Sequence, residues 1–470
     1  MTTVLDQAAV ETLSVNFRGE VITPADERFD EARAIFNGMI NKRPALIAQC
    51  NGVADVISAL GFARERGLSV AVRAGGHSVP GHCLCGDEGI VIDLSGMKGI
   101  WVDPVAQTAR VQTGVLWGEL DRETQQFGLA VTGGRISTTG VAGLTLGSGS
   151  GWFERAHGLT SDSLIAADMV TADGNLVRAS STENPDLFWG LRGGSGNFGI
   201  VTSFEFRLQR EGPLVYGGLA GWPRAQAPQV LRAFRDFMKS APNEIGFLAA
   251  LITAPPEPFI PEELRGQPIV ALAGCCAGDP EKAAEAMRPL LEEMPPALNM
   301  LAPMPYVVVQ QLLDAGNPKG LQGYFKADFV PELSDEAIET IVDQASRITS
   351  PFTALLLEPL GGAINDVPEE DSALSRPRAD FVYHALVMWE DPAENDRQIA
   401  WTRGFADAVA KYTVPGVYLN FLIDEDEEAR VRSTYGPEKY DRLVALKDKY
   451  DPDNVFRHNY NIKPSGAAAR

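Results

Sequence analysis

Cysteine is scarce in this 470-residue chain: Cys50, Cys83, Cys85, Cys275 and Cys276 are the full set. An odd, sparse set excludes a complete disulfide framework and points to reduced thiols. Cys83 and Cys85 stand one residue apart, closer than a zinc pair usually stands, and no second pair matches them. Small buried or half-buried thiols are expected, and no metal site. Basic charge is also short, with 41 Lys and Arg against 62 Asp and Glu, a formal net charge of −21. A surface that acidic repels phosphate backbones and anionic lipids, which argues against nucleic-acid and membrane partners. No apolar run reaches the ~18 residues of a membrane helix. The start, MTTVLDQAAVETLSVNFRGE, lacks the basic-then-apolar order of a secretory signal. A cytoplasmic protein is the expectation.

What is present is an ordinary globular composition, 45% hydrophobic and 22% charged. The length suits two or three domains of ~100–200 residues. RPALIAQC (43–50) reads as a short strand, and VADVISALGFARERGL (53–68) places Val53, Val56, Ile57, Leu60 and Ala63 at helical spacing. SVAVRA (69–74) returns to period two, so the opening is strand–helix–strand. GIVIDLS (89–95), TARVQTG (108–114) and FGIVTSFEFRL (198–208) read as strands, and 164–180 as a hairpin turning at Asp173-Gly174. Residues 133–151, GGRISTTGVAGLTLGSGSG, are too glycine-dense for an ordinary helix. After Arg210–Pro213 the chain alternates amphipathic helices (227–241, 281–294, 335–348) with strands (246–254, 323–330, 352–359, 381–390). That pattern suggests an antiparallel sheet backed by helices.

Three motifs carry chemistry. Gly194-Ser195-Gly196-Asn197-Phe198-Gly199 fits the dinucleotide pattern GxGxxG, but helix-like residues precede it and a strand follows, the reverse of what a pyrophosphate needs. A tight loop leading into a strand is expected instead. RAGGHS (73–78) admits two readings, a turn with a bystander histidine or an anion-binding nest with an imidazole beside it. In the second, neutral His77 is nucleophilic enough to add to the 8α-methyl of an oxidised flavin. Ser137-Thr138-Thr139-Gly140 and Gly147–Gly151 offer hydroxyls and bare backbone to the same ligand.

RAGGHS, the run GVAGLTLGSGSGWFERAHGLTSDSL (140–164) and NPDLFWGLRGGSGNFGIVTSFEF (184–206) together resemble the FAD domain of vanillyl-alcohol-oxidase-type flavoproteins. YDPDNVFRHNYNI (450–462) is similar to the C-terminal signature of the berberine-bridge-enzyme branch. The resemblance runs from about residue 40 onward and implies an α+β, two-lobed fold. An FAD-binding PCMH-type domain would span 1–212 and a substrate domain with an antiparallel sheet backed by helices 213–410. Residues 411–470 would return to the FAD lobe. It implies FAD bonded covalently to His77. Cofactor contacts are implied for Arg73, Ala74, Gly75, Gly76, Ser78, Thr138, Thr139, Gly140, Gly143, Gly151, Ile200, Asn420, Asn459 and Asn461. The second, cysteinyl tether of many members falls at Ile136, so a single histidyl bond is expected. A family histidine near the ribityl chain falls at Leu144, another departure.

Substrate-side residues follow from the same resemblance and from residue chemistry. Tyr418 matches a tyrosine that takes the substrate proton in many members. A core tyrosine with one hydrogen bond is the other reading. Lys326 and Asp328 alternate onto one face of YFKADFV, either toward polar substrate or as a solvent-exposed ion pair. Glu358, after a run of leucines, is a candidate acid or base, because burial raises a carboxyl pKa. Tyr383 and His384 lie on opposite faces of FVYHALVMW, so only one faces the cavity. The expected activity is oxidation of an alcohol or amine-type small molecule, with O2 as acceptor and hydrogen peroxide as product. Thr139, at an oxygen-gating position and similar to bacterial members, keeps a flavin-dependent oxygenase open. A flavin-binding module without turnover is the third reading.

Overall fold

The computed structural model describes residues 7–15, 17–258, 260–376, 378–414, 416, 419–422 and 427–467. The strand–helix–strand opening forms because one face of the helix Val53–Arg66 is apolar. Val56, Ala59, Leu60 and Ala63 bury against the strands Leu46–Gln49, Gly89–Asp93 and Ser69–Arg73, which run parallel in that spatial order. Gly67, at φ 65°, ends the helix in a left-handed turn whose N–H reaches back to its last carbonyls. Glu20–Ile22 adds an antiparallel edge to this sheet. A second sheet is antiparallel, in the order Ile100–Asp103, Thr108–Gln112, Ile200–Arg207, Leu164–Val170, Leu176–Ser180.

The third sheet is the largest and is also antiparallel. Its order is Leu298–Asn299, Leu214–Pro223, Pro268–Cys276, Ile245–Thr253, Ala354–Pro359, Phe381–Trp389, Gln322–Val330, with Ala302–Pro305 also on Leu214–Pro223. The helices Ala227–Met238, Pro280–Glu293, Asp335–Ala345 and Asn395–Val409 cover one face through Phe234, Met287, Ile338 and Phe405. The opposite face meets the glycine-rich segment. Gly246 lies so close to it that a Cβ there would stand 2.0 Å from the Trp152 carbonyl oxygen.

Register decides which side chains look which way, because side chains alternate along a strand and directly paired residues share a face. Asp328 pairs with Tyr383, and Lys326 with Ala385, on the helix-covered face where Tyr324, Val330 and Phe381 are also buried. His384 pairs with Ala327 and Leu356, and Val382 with Glu358, on the face toward the glycine-rich segment. Phe325 and Phe329 share that second face, among Phe36 and Leu159 respectively.

Two elements depart from the sequence reading. Val141–Leu146 is helical despite its glycine-dense surroundings: it holds a single, exposed Gly143, and Val141, Ala142, Leu144 and Thr145 form one buried face. Leu214–Pro223 and Pro268–Cys276 are strands that went unrecognised. Both are buried on both faces, which erases the polar–apolar alternation that marks a half-exposed strand. The dinucleotide-like stretch at 194–199 is, as expected, a loop that feeds the strand Ile200–Arg207.

The C-terminal residues pack beside the second sheet. Leu443, Leu446 and Ile462 join Leu187, Phe198 and Phe204 in one core. Lys447, fully buried in the helix Pro437–Tyr450, fixes this return. Its ammonium donates to the Asn197 carbonyl at 2.8 Å, the Asp451 carboxylate at 2.7 Å and the Phe456 carbonyl at 2.9 Å. Lys447→Met strands the Asp451 charge in the core, so a loss of about 3–5 kcal/mol is expected. Urea denaturation checks it, and an unchanged midpoint would show that the pair contributes nothing.

Candidate functional site

The strand Ser69–Arg73 ends in RAGGHS, and the two glycines let two backbones touch. A Cβ on Gly75 would lie 2.5 Å from the Gly140 Cα, and one on Gly140 would lie 2.7 Å from the Gly75 nitrogen. Gly76, at φ 67°, turns the chain, and its carbonyl accepts from the Phe36 N–H at 2.9 Å. The turn lays His77 on the Phe36 ring, with centroids 4.0 Å apart and planes at 21°. The Nε2 of His77 is sealed from solvent and has no partner among the described residues. Burial pushes its pKa down to about 4, so the ring is a neutral imidazole at neutral pH.

The loops around His77 are stitched to one another. Gly147 faces the Asn420 amide, whose Nδ2 donates to the Gly143 carbonyl at 3.0 Å and whose Oδ1 accepts from the Gly149 N–H at 3.3 Å. Asn197 donates to the carbonyls of Gly194 and Tyr460, at 2.9 and 3.2 Å, and accepts from the Ile462 N–H at 2.9 Å. Asn459 donates to the carbonyls of Gly196 and Phe456. Four polar atoms on these loops stay buried and unspent: His77 Nε2, Ser148 Oγ, Asn459 Oδ1 and Asn461 Oδ1. An orphaned buried group costs about 1–3 kcal/mol unless something fills its bond. A Cβ on Gly143 would meet nothing within 4 Å, so its glycine leaves open space. Unspent polar atoms beside bare backbone fit an elongated polar cofactor such as FAD. His77, Ser148, Asn459 and Asn461 are the side chains able to hold it.

Across from the cradle, the sheet contributes a buried polar network. Glu358, 2% exposed, accepts from Arg135 at 2.8 Å and from Ser150 Oγ at 2.6 Å through one oxygen. Its other oxygen lies 3.0 Å from His384 Nε2. Arg135 also reaches Glu154 at 3.0 Å, and its guanidinium lies over the Trp152 ring. His384 packs against the Phe421 ring at 4.1 Å, and its Nδ1 is buried without a partner. Burial and the neighbouring Glu358 push Glu154 well above the usual carboxyl range. For Glu358 burial works in the same upward direction, and the Arg135 charge overrides it, holding the group well below that range.

The sequence-predicted residues divide by what they touch. Gly75, Gly76, His77, Gly140, Gly143, Asn420, Asn459 and Asn461 lie on the connected loops. Ala74 packs against the core beside them, and the Ser78 hydroxyl accepts from the His82 N–H. Thr138 is exposed, and Thr139 is half-buried with its carbonyl accepting from the Trp117 N–H at 3.0 Å. Gly151 packs on Gly133 and donates to Glu154 at 3.1 Å, which places it with the polar network. The Arg73 guanidinium is committed to buried Asp93 at 2.6 Å and to the Ala32 carbonyl, so its side chain anchors the loop. The Ile200 side chain sits in the core beside Val170 and Phe456. Lys326 and Asp328 are a correction, placed by register on the helix-covered face away from Glu358. There Asp328 pairs with Arg430 at 2.8 Å and accepts from the Tyr383 hydroxyl. Tyr418 lies outside the described residues.

Arg135 and Glu154 carry no role in the sequence reading, whereas Ser150 is offered there as a ligand hydroxyl and His384 as one of two residues able to face the cavity. For His384 the signal existed, in the strict alternation of FVYHALVMW, but choosing its face required the register. A groove of about 590 Å³ lies elsewhere, on the outer face of the second sheet. It is lined by Trp101, Arg110, Asp168, Arg178 and Glu205, whose charges are already paired with one another.

Comparison with known proteins converges on the same regions. Residues 44–180 match the family model described as FAD binding domain, and residues 417–463 the one described as berberine and berberine like. The chain is 33% identical over 428 residues to an FAD-linked oxidoreductase of Dictyostelium discoideum, covering 90% of this chain and 89% of that protein. It is 30% identical over 465 residues to (R)-6-hydroxynicotine oxidase of Paenarthrobacter nicotinovorans, covering 96% and 98%. A crystal structure of 6-hydroxy-D-nicotine oxidase from Arthrobacter nicotinovorans aligns with a TM-score of 0.85 at 29% identity, covering 96% of this chain and 99% of that one.

The contact between Gly75 and Gly140 brings two backbones of the cradle together. Gly75→Ala or Gly140→Ala must push two backbones apart, and overpacking of this kind costs about 1–3 kcal/mol. Thermal unfolding of each variant should show a lowered midpoint. A wild-type midpoint in both would show that the loops part freely.

Proposed function

We propose that this chain, which belongs to the berberine-bridge-like family of FAD-linked oxidoreductases, is an oxidase that carries FAD on His77 alone. In this reading it takes a hydride from a carbon bearing an alcohol or amine on a small organic substrate. FAD, when bound, supplies the hydride acceptor, and O2 restores it with release of hydrogen peroxide. The observation that carries the reading is the His384–Glu358 pair on the sheet face turned toward the cradle, with Nδ1 of His384 left unspent.

An alcohol or amine loses a proton from oxygen or nitrogen as its carbon gives up hydride, and a placed base speeds that loss. Both oxygens of Glu358 are committed, so Glu358 acts through His384, and the imidazole Nδ1 is the group able to accept the proton. His77 supports the single tether. It is neutral at working pH, and no cysteine stands between residues 133 and 151. Ile136 stands where a second tether is carried in other members, and Cys83 and Cys85 belong to a different loop. Similarity to an enzyme named for hydroxynicotine supports a small organic amine or alcohol as substrate.

Two outcomes check the tether. Denatured wild-type protein should stay yellow, and His77→Ala should release all colour to the supernatant. Because burial depresses the imidazole pKa, attachment of added FAD to cofactor-free protein should run equally fast from about pH 6 to 8 and fail only toward about 4. By the same linkage, the unfolded chain takes that proton first. Cofactor-free protein should therefore gain stability as pH rises from about 4 to ~6.5, and none from this group beyond.

For the chemistry, peroxide release is followed across a panel of secondary amines, alcohols and sugars. His384→Gln should lower the rate ~10²–10⁴-fold while retaining FAD. A variant turning over at the wild-type rate would exclude His384 as the base. Oxygen-18 in the organic product, with no peroxide formed, would replace the oxidase by the oxygenase that Thr139 keeps in view.

A further inference from the structure

His384 belongs to a buried set of polar groups. The side chains of Arg135, Glu154, Glu358 and His384 are 12, 3, 2 and 1% exposed. Arg135 Nη2 bridges the two carboxyl groups, while its Nη1 donates to Ser150 Oγ at 2.6 Å. The Ser150 hydroxyl, having accepted from arginine, has one proton to give, and it lies 2.6 Å from Glu358 Oε1. The Gly151 N–H donates to Glu154 Oε2 at 3.1 Å.

Two buried carboxyl groups on one cation cannot both ionise cheaply, so one of them holds a proton. The donors decide which. Glu358 faces the guanidinium, the Ser150 hydroxyl, the His384 ring and the Glu154 carboxyl, whereas Glu154 faces the same guanidinium, the same hydroxyl, one backbone N–H and Glu358 itself, and has no imidazole. The negative charge therefore sits on Glu358. A carboxylate can only accept, so His384 Nε2 must carry its proton toward it, and Nδ1 keeps a lone pair. With the charge on Glu154 instead, Glu358 would donate to Nε2, and Nδ1 would carry the hydrogen and lose all basicity.

We propose that Arg135 and Glu154 are positioning residues that set the tautomer of His384, by holding the single negative charge of the network on Glu358. The catalytic meaning rests on the oxidase reading above, but the tautomer itself does not. Among the described residues, other charges close to the network are already engaged. Arg155 donates to the Leu360 carbonyl, His157 bonds Glu211, and Arg376 pairs with Asp162. Neither carboxyl oxygen of buried Asp121 has a partner among the described residues, and burial pushes its pKa well above the usual carboxyl range. Phe325, Ala327 and Phe329, which share the sheet face with His384, bring no charge, and neither does Phe421 against its ring.

The test is nitrogen NMR of FAD-loaded enzyme labelled with ¹⁵N-histidine, where protonated and bare ring nitrogens resonate far apart. The chain has five histidines, and His384→Gln identifies the signals that vanish. In the wild type at neutral pH, Nδ1 should be bare and Nε2 protonated. Glu154→Gln, which mimics a neutral acid, should leave that pattern in place, whereas Glu358→Gln should lose it. Arg135→Gln should also lose it. If that variant does not fold, the two near-isosteric glutamine variants decide the matter. A protonated Nδ1 in the wild type, or a Glu154→Gln shift as large as that of Glu358→Gln, would overturn the proposal. Absence of peroxide with any substrate, alongside a bare Nδ1, would remove the oxidase reading and leave this one standing.

Discussion

Arg135 rides on the glycine-rich segment and spends its guanidinium on the far side of an interface, on Glu358 of the large sheet. A buried cation is tolerable only with an anion and enough acceptors around it. Both are supplied jointly by the two parts of the chain, Glu154, Ser150 and the Gly151 carbonyl from one and Glu358 from the other. The contact therefore does more than hold two surfaces together. It aligns the glycine-rich segment with the strand that bears His384. Neither half has a complete site without the other.

Close backbone approach is the second requirement, and glycine meets it. Gly75 against Gly140, Gly151 against Gly133 and Gly246 against Trp152 are contacts that a single methyl group would break. They draw three stretches far apart in sequence into one cradle without filling it. The C-terminal return closes it from another side. Lys447 and Asn197 tie 456–462 to the loop at 194–197, which sets Asn459 and Asn461 at the cradle with oxygens still to be satisfied. Polar groups left unpaired in a native core are unstable unless a ligand or water answers them, and their clustering along these loops is what makes the loops a cofactor site.

The cofactor side was legible because it is written in local chemistry. RAGGHS needs its glycines for the turn and the close approach, and its histidine follows in the same six residues. The glycine-rich run and the C-terminal signature are equally compact. The sheet side was much less legible. Glu358 was noticed because a carboxylate after three leucines is out of place. The same kind of reading put Lys326 and Asp328 in the wrong direction, since alternation says that two residues share a face without saying which face it is. For Arg73 the partner of its charge, buried Asp93, is visible only once the parallel strands are paired.

Local order was thus largely determined by the sequence alone: the strand–helix–strand opening, which loop carries His77, and the absence of a thiol between residues 133 and 151. Those properties depend on residues within a few positions of one another, where steric and hydrogen-bond preferences act directly. Tertiary structure decided the chemistry of the opposite wall. Glu154 and Glu358 are 204 residues apart, and both are ordinary acids until folding places Arg135 between them. Which of the two keeps its charge, and hence which nitrogen of His384 is bare, depends on burial and on donors brought from three separate segments.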